Sequence, residues 1–140
     1  MIFPLGRFRV IQGEGSGSEF WFFNTHLPHR HNQASDPNTH ARIGRSLLNK
    51  REELGGANTP TIVVGDCNPF ASSGASEGSF ESNLANGGIV KVYEAKGNTG
   101  GYGGLDKIFA SQQHWTTLNA ADRGTGRSDH PAIEAWMSLK

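Results

Sequence analysis

Two rhythms of apolar residues run through this chain. The first is short and strand-like. Phe8–Ile11 and Phe20–His26 are largely apolar stretches separated by the turn Glu14–Ser18. The second stretch is apolar on both faces and turns polar at Asn24, Thr25 and His26, which predicts a buried strand whose carboxyl end opens into a cleft. Thr61–Val64 is a β-branched strand running into Gly65-Asp66, and Ile89–Tyr93, Leu105–Ala110 and Ile133–Leu139 complete the predicted strands. Along the last, Ile133, Ala135, Met137 and Leu139 share one face while Glu134 and Ser138 point away.

The second rhythm is helical. Ile43, Leu47 and Leu54 recur near helical spacing within Thr39–Leu54, with Thr39 as the expected cap and Gly55-Gly56 as the stop. Ser76–Asn86 reads as a shorter helix that carries Phe80 and Leu84 and closes at Gly87-Gly88. Gly97–Gly104 holds five glycines in eight residues and reads as a mobile loop; without a Lys-Ser/Thr ending it is no phosphate-binding P-loop. Strands mixed with two helices predict an α/β layer structure, one mixed sheet covered by helices on one face.

Composition narrows the function classes. A length of 140 residues suits one domain. Thirteen basic and 13 acidic side chains cancel to a formal net charge of 0, which excludes a broad basic face of the kind that grips nucleic acid. The longest apolar run, Phe20–Phe23, is far too short to span a bilayer, and the first ten residues show no signal-peptide core. Cys67 is the only cysteine, so no internal disulfide can form.

Chemistry-bearing residues gather where predicted strands end. Asn24-Thr25-His26 follows Phe20–Phe23, Asp66-Cys67-Asn68 follows Thr61–Gly65, Asp106 sits in Leu105–Phe109, and Ser128-Asp129-His130 precedes the last strand. Strand ends of an open α/β sheet are where ligands usually sit.

The segments NTHL (Asn24–Leu27), VVGDCN (Val63–Asn68), LDKIF (Leu105–Phe109) and SDHPAI (Ser128–Ile133), in this order, resemble the endonuclease/exonuclease/phosphatase superfamily, the deoxyribonuclease I-like phosphoesterases. The resemblance runs from about Phe20 to Met137. It implies half of a four-layer α/β sandwich and a divalent-metal-dependent phosphoesterase using Mg2+ or Mn2+. Under it, Asp129 would hold metal, while Asp66 and Asn68 would orient the attacking water and the phosphate. His130, steadied by Asp106, would act as acid/base or phosphate donor, and His26 would donate to the phosphate from the opposite side. Arg42 falls where many members carry an arginine ahead of a helix; Arg42 and His29 are candidate phosphate contacts. The implied partner is a phosphate-ester substrate, which could be nucleic acid, a phospholipid headgroup or an inositol phosphate.

One departure stands beside these matches. Members carry an amino-terminal half with a metal-binding Glu, often after a Gln; here Gln12 is followed by Gly13 and Glu14 in a turn, which makes Glu14 a poor candidate. The chain is therefore expected to be the carboxyl-terminal half of the domain, a fragment of a longer enzyme, with a truncated non-catalytic module as the alternative. Its inner sheet face, with candidates Phe22, Ile62, Val64, Ile108 and Met137, would then be uncovered and prone to self-association.

Other readings compete at single residues. His26, His29 and His31, with Asp66, Cys67 and His130, could build a zinc hydrolase site, although Pro28 interrupts the histidines. Otherwise His29, Arg30 and His31 form a solvated loop beside the cleft. Alternation turns Cys67 away from Asp66 and Asn68, as expected of a small buried residue rather than a nucleophile. Trp21, Trp115 and Trp136 are expected to pack in the core or at an interface.

Overall fold

The structure is a computed structural model and describes residues 4–11, 16–29, 36–68, 75–99 and 102–140. Gln12, Gly13, Glu14, Arg30 and His31 lie outside the described residues. Five strands build the main sheet: β1 (Leu5–Arg9), β2 (Glu19–His26), β3 (Thr61–Asp66), β4 (Ile89–Glu94) and β7 (Asp106–Ser111), in the order β1-β2-β3-β7-β4. β2 and β3 run parallel and every other pair is antiparallel, so the sheet is mixed. A parallel pair needs a long crossover. That crossover contains α1 (Thr39–Glu53) and a 3-10 turn at Gly56–Asn58.

Both helices lie on one face. Phe23, Val63 and Phe109 project from β2, β3 and β7 into a buried cluster with Ile43 and Leu47 of α1 and Phe80 and Leu84 of α2 (Phe80–Asn86). Gly44 lets the helices meet closely: a Cβ there would lie 3.1 Å from the Phe80 carbonyl oxygen. No helix among the described residues is long and apolar enough to cross a membrane.

Several expectations need correction. The second helix begins at Phe80 rather than Ser76, because Ser79 and Ser82 close a reciprocal capping box. Thr39 does not cap the first helix. Asn38 holds the cap position, but its Oδ1 accepts from the Ser76 and Glu77 amides, 2.9 and 3.1 Å away. Gly97–Gly104 is not simply a loop: Asn98–Thr99 (β5) and Tyr102–Gly103 (β6) pair as an antiparallel ribbon. A strand that the pattern did not suggest, β8 (Trp115–Asp122), pairs with β9 (Ile133–Leu139). The last strand thus belongs to a separate two-stranded hairpin, outside the main sheet.

That hairpin changes the outer face. Phe22, Ile62, Val64, Ile108 and Met137 all line one trough of about 610 Å3, together with Ile133 and Ala135 of β9. Ile62 and Ile108 are buried there, while Phe22, Val64 and Met137 are half-buried. Trp21 and Trp115 are half-buried, whereas Trp136 stands 62% exposed, so of the two roles expected for it, core or interface, the core is excluded. It occupies the outward phase of β9 between Ala135 and Met137.

Candidate active site

Register sets the site. His26 pairs with Asp66 across the parallel β2–β3 ladder, and Asp66 pairs with Asp106 across the antiparallel β3–β7 ladder. Paired residues present their side chains to the same face, here the face of the trough, whose lining includes Asp66 and Asp106. Gly65 makes this juxtaposition possible: a Cβ on it would fall 1.9 Å from the Thr25 carbonyl oxygen, so only glycine lets β3 end this close to β2.

His130 reaches the same point from the hairpin. Its Nδ1 lies 2.7 Å from Oδ2 of Asp106, and its Nε2 lies 3.8 Å from Oδ2 of Asp66. His26 approaches that same Asp66 oxygen from the other side, with Nε2 at 3.5 Å. Ligand atoms of Asp66, Asp106 and His130 all lie within 4.8 Å of one another, close enough that the three could hold a metal ion. The Asp106 hydrogen bond raises the pKa of His130 above its ordinary value; partial burial opposes this, and the charges of Asp106, Asp66 and Asp129 add to it. Oδ1 of Asp66 is buried and finds no hydrogen-bond partner among the described residues.

The other expected residues are placed less centrally. Asn68 is 9% exposed and donates from Nδ2 to the Leu27 carbonyl at 2.9 Å, tying the end of β3 to the end of β2. Asp129 is exposed and outside the Asp66–Asp106–His130 cluster, though its charge acts on His130. Arg42 forms ion pairs with Asp36 at 2.6 Å and Glu77 at 3.3 Å, not with the cluster. His29 is half-buried just past β2 and does not join the cluster. Cys67 packs against the core, and burial pushes its thiol up to about 12, which keeps it protonated.

Two residues that sequence reasoning passed over support this arrangement. Arg51 is buried and donates to Thr61 Oγ1 and to the carbonyls of Gly87, Ala57 and Thr59, closing the amino-terminal end of β3. Asp122 accepts from Tyr93 and from two amides beyond β4. Neither stands in a motif; the only sequence signal was an arginine on the apolar face of a predicted helix and an acid close to a strand.

Comparison with known proteins places this geometry in a known fold. No family model matches the sequence, and no curated protein matches it significantly. Solved structures do match. An endonuclease/exonuclease/phosphatase from Bacteroides vulgatus superposes with a TM-score of 0.67 at 18% identity, over 97% of this chain and 54% of that one. A mannosyl-6-phosphatase from Bacteroides thetaiotaomicron VPI-5482 gives 0.63 at 20% identity, over 96% and 55%. D. rerio TDP2 complexed with single strand DNA product gives 0.59 at 16%, over 97% and 68%. This chain spans about half the length of the first two structures. The described residues thus have the deoxyribonuclease I-like fold of endonuclease/exonuclease/phosphatase structures, over part of its extent.

Proposed function

We propose that this chain carries the acid/base half of a divalent-metal-dependent phosphoesterase, part of a longer enzyme, which cleaves phosphodiester or phosphomonoester bonds by in-line attack of water. The observation that carries the reading is the shared Oδ2 of Asp66, faced by His26 and His130 from two sides while Asp106 holds His130. An imidazole oriented by one carboxylate beside a second carboxylate is what proton transfer to and from water and an ester oxygen needs.

The roles follow from atoms. With Nδ1 engaged by Asp106, the protonated His130 offers Nε2–H, which is too far from Asp66 for a good hydrogen bond and free to donate to a phosphate or leaving oxygen. Asp66 Oδ2, which faces both His26 and His130, is the acceptor for the attacking water. Asn68, whose Nδ2 is held by the Leu27 carbonyl, steadies the strand end that carries Asp66. His26, 75% exposed at its side chain, donates to the phosphate from the opposite flank.

The donor set fits a hard cation. Carboxylate oxygens of Asp66 and Asp106 converge with His130, and Asp66 Oδ1, buried and without a hydrogen-bond partner among the described residues, is a natural ligand for Mg2+ or Mn2+. Exposed Asp129 beside His130 would be a further oxygen ligand. When bound, such a cation offsets charge on the non-bridging phosphate oxygens. The related folds include a sugar phosphatase and a protein complexed with a DNA product, which supports phosphate esters as the substrate class.

The test is hydrolysis of bis-p-nitrophenyl phosphate and p-nitrophenyl phosphate by the full-length protein with Mg2+ or Mn2+. Asp66→Ala and His130→Ala should each lower the rate by about a hundredfold or more. Hydrolysis that survives EDTA and is lost in Cys67→Ala would point to a thiol instead. Stoichiometric zinc that is lost in His29→Ala would favour the zinc reading.

A further inference from the structure

His130 lies in the loop between β8 and β9 whereas Asp106 begins β7 of the main sheet, so something must register the hairpin against the main sheet. Asp122, the last residue of β8, is placed to do this. Its Oδ1 accepts from the Tyr93 hydroxyl at 2.9 Å, and its Oδ2 from the amides of Lys96 at 3.1 Å and Gly97 at 2.8 Å. The segment it grips is itself tied to the dyad strand, because the Ala95 amide donates to the Asp106 carbonyl at 2.9 Å. On the other side the segment abuts the residue after His130: a Cβ on Gly97 would fall 3.2 Å from the Pro131 ring. Within the hairpin, Arg123 N donates to Ala132 O at 2.7 Å, joining the strand of Asp122 to the strand that follows His130.

We propose that Asp122 is a positioning residue for His130. Its carboxylate clamps the Ala95–Gly97 segment between Asp106 and Pro131 and thereby sets the reach of the imidazole to Asp106. Three donors on one small carboxylate leave it little rotational freedom, and all three come from β4 or the residues just beyond it. Such outer partners fix the geometry of the groups they hold. Any consequence for turnover rests on the phosphoesterase reading; the geometric claim does not.

The experiment reads the His130 tautomer in the neutral ring by long-range nitrogen–proton NMR on the 140-residue chain. In the native chain Asp106 holds the proton on Nδ1. Asp122→Asn, which turns an amide toward the donors, should move most of the population to the Nε2–H form that an unanchored imidazole prefers, with the fold retained by circular dichroism. Asp106→Asn serves as the reference for an opened dyad. If Asp122→Asn folds and keeps the Nδ1 proton as in the native chain, the proposal is overturned. Should that variant not fold, Tyr93→Phe decides: a mixed tautomer supports the clamp and a native one overturns it. In the active full-length enzyme, Asp122→Asn should lower kcat about tenfold with little change in KM. Native tautomers without any phosphoesterase activity would leave the clamp standing and reject only the function.

Discussion

Nδ1 of His130, in the loop between β8 and β9, stands 2.7 Å from Oδ2 of Asp106, which begins β7 of the main sheet 24 positions earlier. The contact joins the hairpin to the sheet at the point where the trough meets the strand ends.

This contact has a pH signature. The raised pKa of His130, due first to the Asp106 hydrogen bond, means that its charged form adds stability at pH values below the unfolded value near 6.5. That contribution is lost as pH rises through the folded value. The side chain is 31% exposed, so screening keeps the gain to about 1 kcal/mol or less. In metal-free buffer, Asp106→Asn should lower the His130 titration midpoint and flatten this loss. An unmoved midpoint by NMR would contradict it.

Cys67 should be chemically quiet. With burial holding its thiol up to about 12, iodoacetamide should leave the folded chain unmodified at neutral pH. Cys67→Ala should keep hydrolysis within about twofold of native. Rapid labelling of the folded chain would show a thiolate where none is expected.

Arg51 separates stability from function. Its burial lowers its pKa, yet its guanidinium meets three carbonyls and a hydroxyl near the carboxyl end of α1. Arg51→Met would leave those carbonyls without their donor and should cost about 3 kcal/mol in a urea titration. Arg51 binds at Thr61 and the site lies at Asp66, the two ends of β3, about 16 Å apart at ordinary strand rise. The dyad signals of the folded variant should therefore be native-like.

Self-association is expected of the isolated chain. Phe8 is 50% exposed, Ile11 88%, Leu118 65% and Trp136 62%. Covering about 500 Å2 of such surface is worth about 12 kcal/mol at roughly 25 cal/mol per Å2, within the range that lost rigid-body freedom costs and above its lower estimates. Sedimentation velocity across concentrations should show larger species, fewer in Phe8→Ser. A monodisperse monomer at all concentrations would contradict the expectation.

What the sequence made legible follows from how each element is buried. β2, β3 and β7 carry continuous apolar runs because helices bury one face of the sheet and β9 of the hairpin walls an apolar trough on the other. β8 escaped because Thr116, Thr117, Leu118 and Asn119 are all exposed, leaving no alternation to read. β9 alternates cleanly, but alternation cannot say which sheet a strand joins. Asp66, Asp106 and His130 stood out by their place at strand ends, whereas Arg51 and Asp122 act on backbone groups of distant loops that no local pattern connects. Arg42 matched by position only, and Asp36 and Glu77 engage it.

The direct pairing of Asp66 with Asp106 has a cost for the fold. Two acids opposite each other on adjacent strands, with Cβ atoms about 5 Å apart, repel when both are ionised. The register that creates the site therefore also weakens that corner of the sheet, and His130 offsets only part of the repulsion. A bound cation would relieve the rest. At a hundredfold excess over its dissociation constant it would add about 2.7 kcal/mol to the folded state. Occupancy of the site and melting of the chain would then be one linked equilibrium, with ligand-free protein the most susceptible to unfolding and to proteolysis at this edge.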